Sequence, residues 1–190
     1  MSLLRKACLG LLRLFGWTAS LTWPPEPRGI ILVYPHKSNW DFIVGVLYRI
    51  GCGLPAHWMG KDSMFRWPLA GFYRRIGGVP INRRERLGVV ASLAEEFRRR
   101  DWIWLAIAPE GTRGQTDHLK SGFYQLALEL DVPIGLGYID YAARRIGIDH
   151  YVRMTGDEQR DLATLRDFYA GKHGRIRANE GQLRFQPKDR

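Results

Sequence analysis

Between residues 29 and 139, short apolar runs alternate with longer segments patterned as helices, and few folds accommodate that rhythm. Residues 29–34, Gly-Ile-Ile-Leu-Val-Tyr, are β-branched and bounded by glycine and proline, the signature of a short buried strand. Residues 42–50 follow as an apolar helix that stops at Gly51 and Gly53. Residues 54–59 and 77–83 read as two further strands. Residues 85–100 form an amphipathic helix with Leu87, Val90, Ala91, Leu93, Ala94 and Phe97 on its apolar side. Residues 102–108 are continuously apolar and mark the expected central strand, and a helix over 122–130 and a strand over 132–139 complete the series. Strands that alternate with helices predict a single α/β domain with a mixed, largely parallel sheet flanked by helices.

At 190 residues the chain is long enough for one such domain with a real core and short for two. Residues 1–17 precede it as an amphipathic N-terminal helix. Leu3, Leu4, Ala7, Cys8, Leu11, Leu12, Leu14 and Phe15 share a broad face, Arg5, Lys6 and Arg13 lie opposite, and Leu9 is the misfit. This helix either packs on the core or lies on an anionic membrane surface, and Arg13 interrupts the apolar stretch that a signal sequence needs. The prolines of residues 22–27 mark a linker. The expected organisation is therefore residues 1–22 as the amphipathic helix, on the core or as a membrane-surface anchor, 28–156 as the α/β domain, and 157–190 as a helix with a basic tail.

Net charge is +10, so the surface attracts something acidic: nucleic acid, anionic lipid, a phosphorylated substrate or an acidic carrier protein. The basic residues are spread along the chain, and no nucleic-acid motif appears, so a nucleic-acid partner is not expected. Cys8 and Cys52 have no paired spacing, which argues against a disulfide framework or a zinc site and suits a reducing compartment. No apolar run approaches the roughly eighteen residues of a membrane-spanning helix. Aromatic and basic residues interleave over 64–75 and offer a second surface for lipid or substrate.

The chemistry concentrates where strands end. His36 and Asp41 lie in the turn after the first strand. With Pro35 and the cap candidates Ser38 and Asn39 between them, Asp41 can orient one imidazole nitrogen while the other takes a proton. Arg83 and Arg113 also follow apolar runs, and Arg113 stands in a glycine-flanked turn. Ligands of open α/β sheets bind beyond the carboxyl ends of the strands. A base beside two guanidiniums suits a substrate with a hydroxyl to activate and a phosphate to hold.

Four blocks occur in order: His36-x4-Asp41, Gly78-Val79-Pro80-Ile81-Asn82-Arg83, Pro109-Glu110-Gly111-Thr112-Arg113 and Val132-Pro133-Ile134. Over residues 29–140 they resemble the motif blocks of the glycerolipid acyltransferases, the lysophosphatidic acid acyltransferases and their relatives. Pro35, Pro80 and Gly114 depart from the usual residues, and none of these changes removes a charged group.

The resemblance implies transfer of a fatty acyl group from an acyl-CoA or acyl-carrier-protein thioester to a lysophospholipid hydroxyl, with no metal, no cofactor and no covalent acyl-enzyme. It casts His36 as general base and Asp41 as its orienter. Arg83 and Arg113 hold the acceptor phosphate, Glu110, Gly111 and Thr112 shape that pocket, and Lys61 is a further phosphate contact. It also implies a cytoplasmic enzyme attached peripherally to the inner face of the membrane. The rivals are the same chemistry on a lyso-ornithine lipid or a non-lipid alcohol or amine, and a non-catalytic basic binding module.

Overall fold

The apolar runs of the sequence become neighbouring strands whose alternate residues face opposite layers. The computed structural model describes residues 2–81, 88–179 and 182–185. In chain order the elements are α1 (Leu3–Leu14), β1 (Thr18–Leu21), β2 (Arg28–Val33), α2 (Trp40–Cys52), β3 (Ala56–Lys61), α3 (Ala70–Arg75) and β4 (Gly78–Ile81). They continue with α4 (Gly88–Arg99), β5 (Ile103–Ile107), α5 (Gly122–Leu130), β6 (Ile134–Asp140), β7 (Arg145–Val152) and α6 (Glu158–Tyr169). The strands form one seven-stranded sheet in the order β1-β7-β6-β2-β5-β3-β4. Every pairing is parallel except the β6–β7 hairpin. The expected mixed, largely parallel α/β architecture is what the chain adopts.

The two-residue period of a strand sorts the core into two layers. Ile30, Leu32, Ile103, Leu105, Ile107, Ile134 and Leu136 face α4, α5 and α6, where Phe97, Phe123 and Leu165 meet them. Ile31, Trp104, Ile146 and Ile148 face the other way, towards Leu12 of α1 and Val44 and Tyr48 of α2. The helices before and after the expected catalytic domain thus share its cores, and the division at residues 22–28 and 156–157 separates no independent packing unit.

Three sequence readings shift. The middle strand is β2, flanked by β6 and β5, so the 102–108 run is its neighbour rather than the centre. Strands β1 and β7 escaped the pattern reading because β1 spans four residues and borders the sheet. The apolar side of β7 shows only as Ile146 and Ile148 amid polar residues. Finally, α1 carries two apolar stripes. Cys8 and Leu12 are buried, Leu9 packs partly against α2, and Arg5 reaches the Gly53 carbonyl (3.4 Å), so the apparent misfit belongs to the inner stripe. Leu3, Leu4, Leu11, Leu14 and Phe15 stay exposed. Among the described residues no helix is long and apolar enough to cross a membrane.

Gly29 shows how tightly the α1/α2 layer is filled. A Cβ on Gly29 would lie 2.3–2.6 Å from three atoms of the Trp104 ring, which is fully buried and donates its Nε1–H to the Glu26 carbonyl (2.9 Å). The ring is anchored at one edge and has no room to retreat. Gly29→Ala is expected to lower the unfolding free energy by about 1–3 kcal/mol, the range for overpacked cores. Urea denaturation followed by tryptophan fluorescence measures it, and an unchanged midpoint would show that the ring moves freely.

Candidate active site

The central strand β2 delivers its loop, residues 34–39, to the carboxyl end of the sheet, and α2 begins at Trp40. Asp41 therefore sits in the first turn of α2, where the helix dipole favours a carboxylate. Its side chain is 1% exposed. Oδ2 accepts the Ser38 backbone N–H (2.9 Å), and Oδ1 accepts the Tyr141 hydroxyl (2.7 Å). Ser38 also accepts the Trp40 N–H (3.2 Å), the capping role expected at this turn, whereas Asn39 makes no side-chain cap.

His36 Nδ1 lies 3.2 Å from Asp41 Oδ2. The approach is off the hydrogen-bond axis, so proximity and charge rather than an in-line bond join the two groups. Burial works against an ionised Asp41, but the contacts from His36, Tyr141 and the Ser38 N–H outweigh it and hold the carboxyl below the usual carboxylate range. Burial and the adjacent carboxylate push the Tyr141 hydroxyl well up, so it stays protonated and donates. With Nδ1 turned to Asp41, Nε2 remains for proton transfer, on a side chain that keeps 21% of its surface open.

A second construction fixes the backbone of the histidine. Strands β2 and β5 are adjacent, with Leu32 opposite Ile107, so the loops that follow them leave the sheet side by side. Lys37 and Glu110, one from each loop, form an ion pair at 2.8 Å with both side chains fully buried. Lys37 Nζ also donates to the Gly114 carbonyl (3.0 Å), and Glu110 Oε2 accepts the His36 backbone N–H (2.8 Å). Burial raises the Glu110 carboxyl above its ordinary range, and the Lys37 ammonium and the His36 N–H counter this only in part.

In the 109–114 turn, both Glu110 oxygens are engaged inside the protein, one with Lys37 and one with the His36 N–H. Thr112 also works within the turn, accepting the Gly114 N–H on Oγ1 (3.1 Å). Gly111 has φ +64°, a left-handed backbone conformation that favours glycine at this point of the turn. Arg113 is exposed beside the site, with its carbonyl accepting from Asn179 Nδ2 (3.2 Å). Lys61 ends β3 at the same edge of the sheet. Arg83 lies outside the described residues, two positions beyond the end of β4.

The fold thus brings together His36, Asp41 and the 109–114 turn, and it adds Lys37 and Tyr141, which the motif reading missed. Tyr141 had a signal available, since it directly follows a strand, as His36 nearly does. Lys37 had none, because no local pattern distinguishes a fully buried lysine from a solvated one.

Removing one partner of a buried pair leaves an uncompensated charge, at a cost of about 3–5 kcal/mol. Lys37→Met is expected to lose that much at neutral pH, and Lys37→Met/Glu110→Gln to recover a large part of it. A carboxyl with a raised folded-state pKa holds its proton more tightly folded than unfolded. Stability of the single variant therefore falls as pH rises through that pKa and returns in acid. Urea titrations at several pH values read both effects, and equal losses in the two variants at every pH would disprove the assignment.

Comparison with known proteins accords with this geometry. The family model described as Acyltransferase matches residues 23–135, more than half of the chain. No curated protein sequence matches it. Among solved structures, the crystal structure of the 1-acyl-sn-glycerophosphate (LPA) acyltransferase PlsC from Thermotoga maritima is similar in fold. It superposes with a TM-score of 0.57 at 15% identity, over 87% of this chain and 75% of that one. Strand-end histidine, buried aspartate and matched region coincide, and the chain belongs to the acyltransferase family.

Proposed function

We propose that this acyltransferase moves a fatty acyl group from a coenzyme A or carrier-protein thioester to the free hydroxyl of a lysophospholipid such as 1-acyl-glycerol 3-phosphate. The observation that carries the reading is the contact between His36 and a buried, ionised Asp41 at the carboxyl end of the central strand. The Thermotoga maritima protein of similar fold is a 1-acyl-sn-glycerophosphate acyltransferase, which supports the same acceptor class.

In the proposed reaction, Nε2 of His36 takes the hydroxyl proton as the acceptor oxygen attacks the thioester carbonyl carbon. The new C–O bond forms, the C–S bond breaks, and the leaving thiolate takes the proton from the imidazolium. Asp41 stabilises the imidazolium in between, and Tyr141 and the Ser38 N–H keep Asp41 charged and oriented. Arg113, with Arg83 and Lys61, supplies cations for the acceptor phosphate. The donor enters as a substrate, and the scheme calls for no metal, no cofactor and no acyl-enzyme.

Replacing His36 with Ala is expected to lower turnover of lysophosphatidate and acyl-CoA by at least about 10²-fold while circular dichroism and melting stay as in the wild type. Retained turnover in the folded variant would sink the mechanism.

The outer stripe of α1 favours attachment to the surface of a membrane. Leu3 is 85% and Leu14 78% exposed, Phe15 stands beside them, and Lys6 and Arg13 run along the edge of the stripe. Trp67, at 92% exposure, with Leu69 and Phe72, adds apolar surface next to Arg66 and Arg74. Because the inner stripe of α1 belongs to the core, substitution tests the idea better than deletion. Leu3→Gln/Leu14→Gln/Phe15→Gln should release the protein from anionic liposomes in a flotation assay without lowering its melting temperature. Unchanged flotation would mean that another surface binds lipid.

A further inference from the structure

The chain after α6 crosses the catalytic face, and its contacts trace the path. His173 N–H donates to Asp140 Oδ1 (3.2 Å), and the His173 carbonyl accepts the N–H of Tyr141 (2.8 Å), whose hydroxyl holds Asp41. Two residues on, the Arg175 guanidinium lies 5.2 Å from the centroid of the Trp40 ring, and Trp40 directly precedes Asp41. Asn179 then bonds the Arg113 carbonyl, and Phe185 packs on Phe123 and Tyr124 beside a bridge to Leu119. Residues 171–179 therefore form a strap from the Tyr141 side of the dyad to the Arg113 turn. The region matched by the family model ends at residue 135, well before this strap begins.

Arg175 is the cation that the strap places over Trp40, the residue that precedes the dyad's aspartate. It is exposed, and among the described residues no carboxylate pairs with it. Asp41, the carboxylate of the dyad, is buried and already has three partners. The charge of Arg175 nonetheless reaches Tyr141, where it opposes the upward push on the hydroxyl. With its guanidinium carbon over the indole ring, Arg175 is drawn to Trp40 by a cation–π contact that leaves N–H groups available to a ligand. Those groups match the oxygens of a phosphate, which guanidinium binds in a bidentate manner.

We propose that Arg175 is a binding residue for a substrate phosphate at the mouth of the active site, at the other end of the strap from Arg113. The inference rests on the acyl-transfer reading. Two sources supply such a phosphate: the headgroup of the acceptor and the phosphopantetheine arm of the donor.

Kinetics and binding separate them, using the full-length protein. For Arg175→Ala, KM for either 1-acyl-glycerol 3-phosphate or acyl-CoA is expected to rise about tenfold, with kcat within about twofold and melting unchanged. A matching loss of affinity for glycerol 3-phosphate by calorimetry assigns the acceptor phosphate, and a loss for coenzyme A assigns the donor phosphate. Arg160→Ala, which removes an exposed cation at the far end of α6, should leave all four quantities unchanged. Unaltered KM and Kd values for both substrates in Arg175→Ala would overturn the proposal, as would an equal shift in Arg160→Ala. If the wild type turned over neither substrate, the acyl-transfer reading would fall, and calorimetry alone would still decide whether Arg175 binds phosphate.

Discussion

Everything at the catalytic end of the sheet hangs on the buried pair between Lys37 and Glu110. Its net contribution to stability is modest, because desolvating two charges offsets most of their attraction. What the pair supplies is position. One Glu110 oxygen neutralises Lys37 while the other fixes the His36 N–H, so the neutralising charge also sets where the histidine backbone lies. Lys37 in turn closes the 109–114 turn through the Gly114 carbonyl. A hydrophobic pair would join the two loops equally well but would leave the His36 N–H without an acceptor.

Strand order explains how so few residues orient the base. The middle strand β2 carries His36, and its two neighbours carry the supports: β5 leads to Glu110 and β6 leads to Tyr141. Each neighbour acts on a different part of the dyad. Glu110 holds the histidine main chain, and Tyr141 holds the aspartate that orients its ring. Asp140, the last residue of β6, accepts the N–H groups of Ala142, Ala143 and His173, which fixes the corner from which Tyr141 projects. If His36 acts as the proposed base, it is preorganised for proton transfer: its partners need no rearrangement when the imidazole becomes charged.

Much of this was legible from residue order alone, for physical reasons. Buried parallel strands are nearly continuous apolar runs, so β2, β5 and β6 stand out, and with them the strand ends where His36 and the 109–114 turn lie. Short spacing made Asp41 visible as the partner of His36. The supports were not visible in the same way, since Tyr141 is 100 residues from Asp41 and Glu110 is 74 from His36, and no local period reports such distances. The resemblance casts Glu110 as shaping the acceptor pocket, and its contacts with Lys37 and the His36 N–H could not be read from the sequence, since Lys37 gives no local sign of being buried.

The N-terminal helix shows why amphipathicity cannot choose between packing and membrane binding. A single broad apolar arc hides two stripes, and the inner one, with Cys8 and Leu12, ties α1 to the helix that carries Asp41. Trp40 and Ile43 of α2 are exposed in their turn, continuing the open apolar surface towards the site mouth, where Arg175 stacks on Trp40. An acceptor with its acyl chain in lipid and its headgroup in water has to present its hydroxyl at such a boundary. On the proposed reading, a helix pair that is apolar outward and holds the aspartate inward would bring the base to that boundary, so that the acceptor need not leave the bilayer to react. Attachment and orientation would then be consequences of one packing interface, that between α1 and α2.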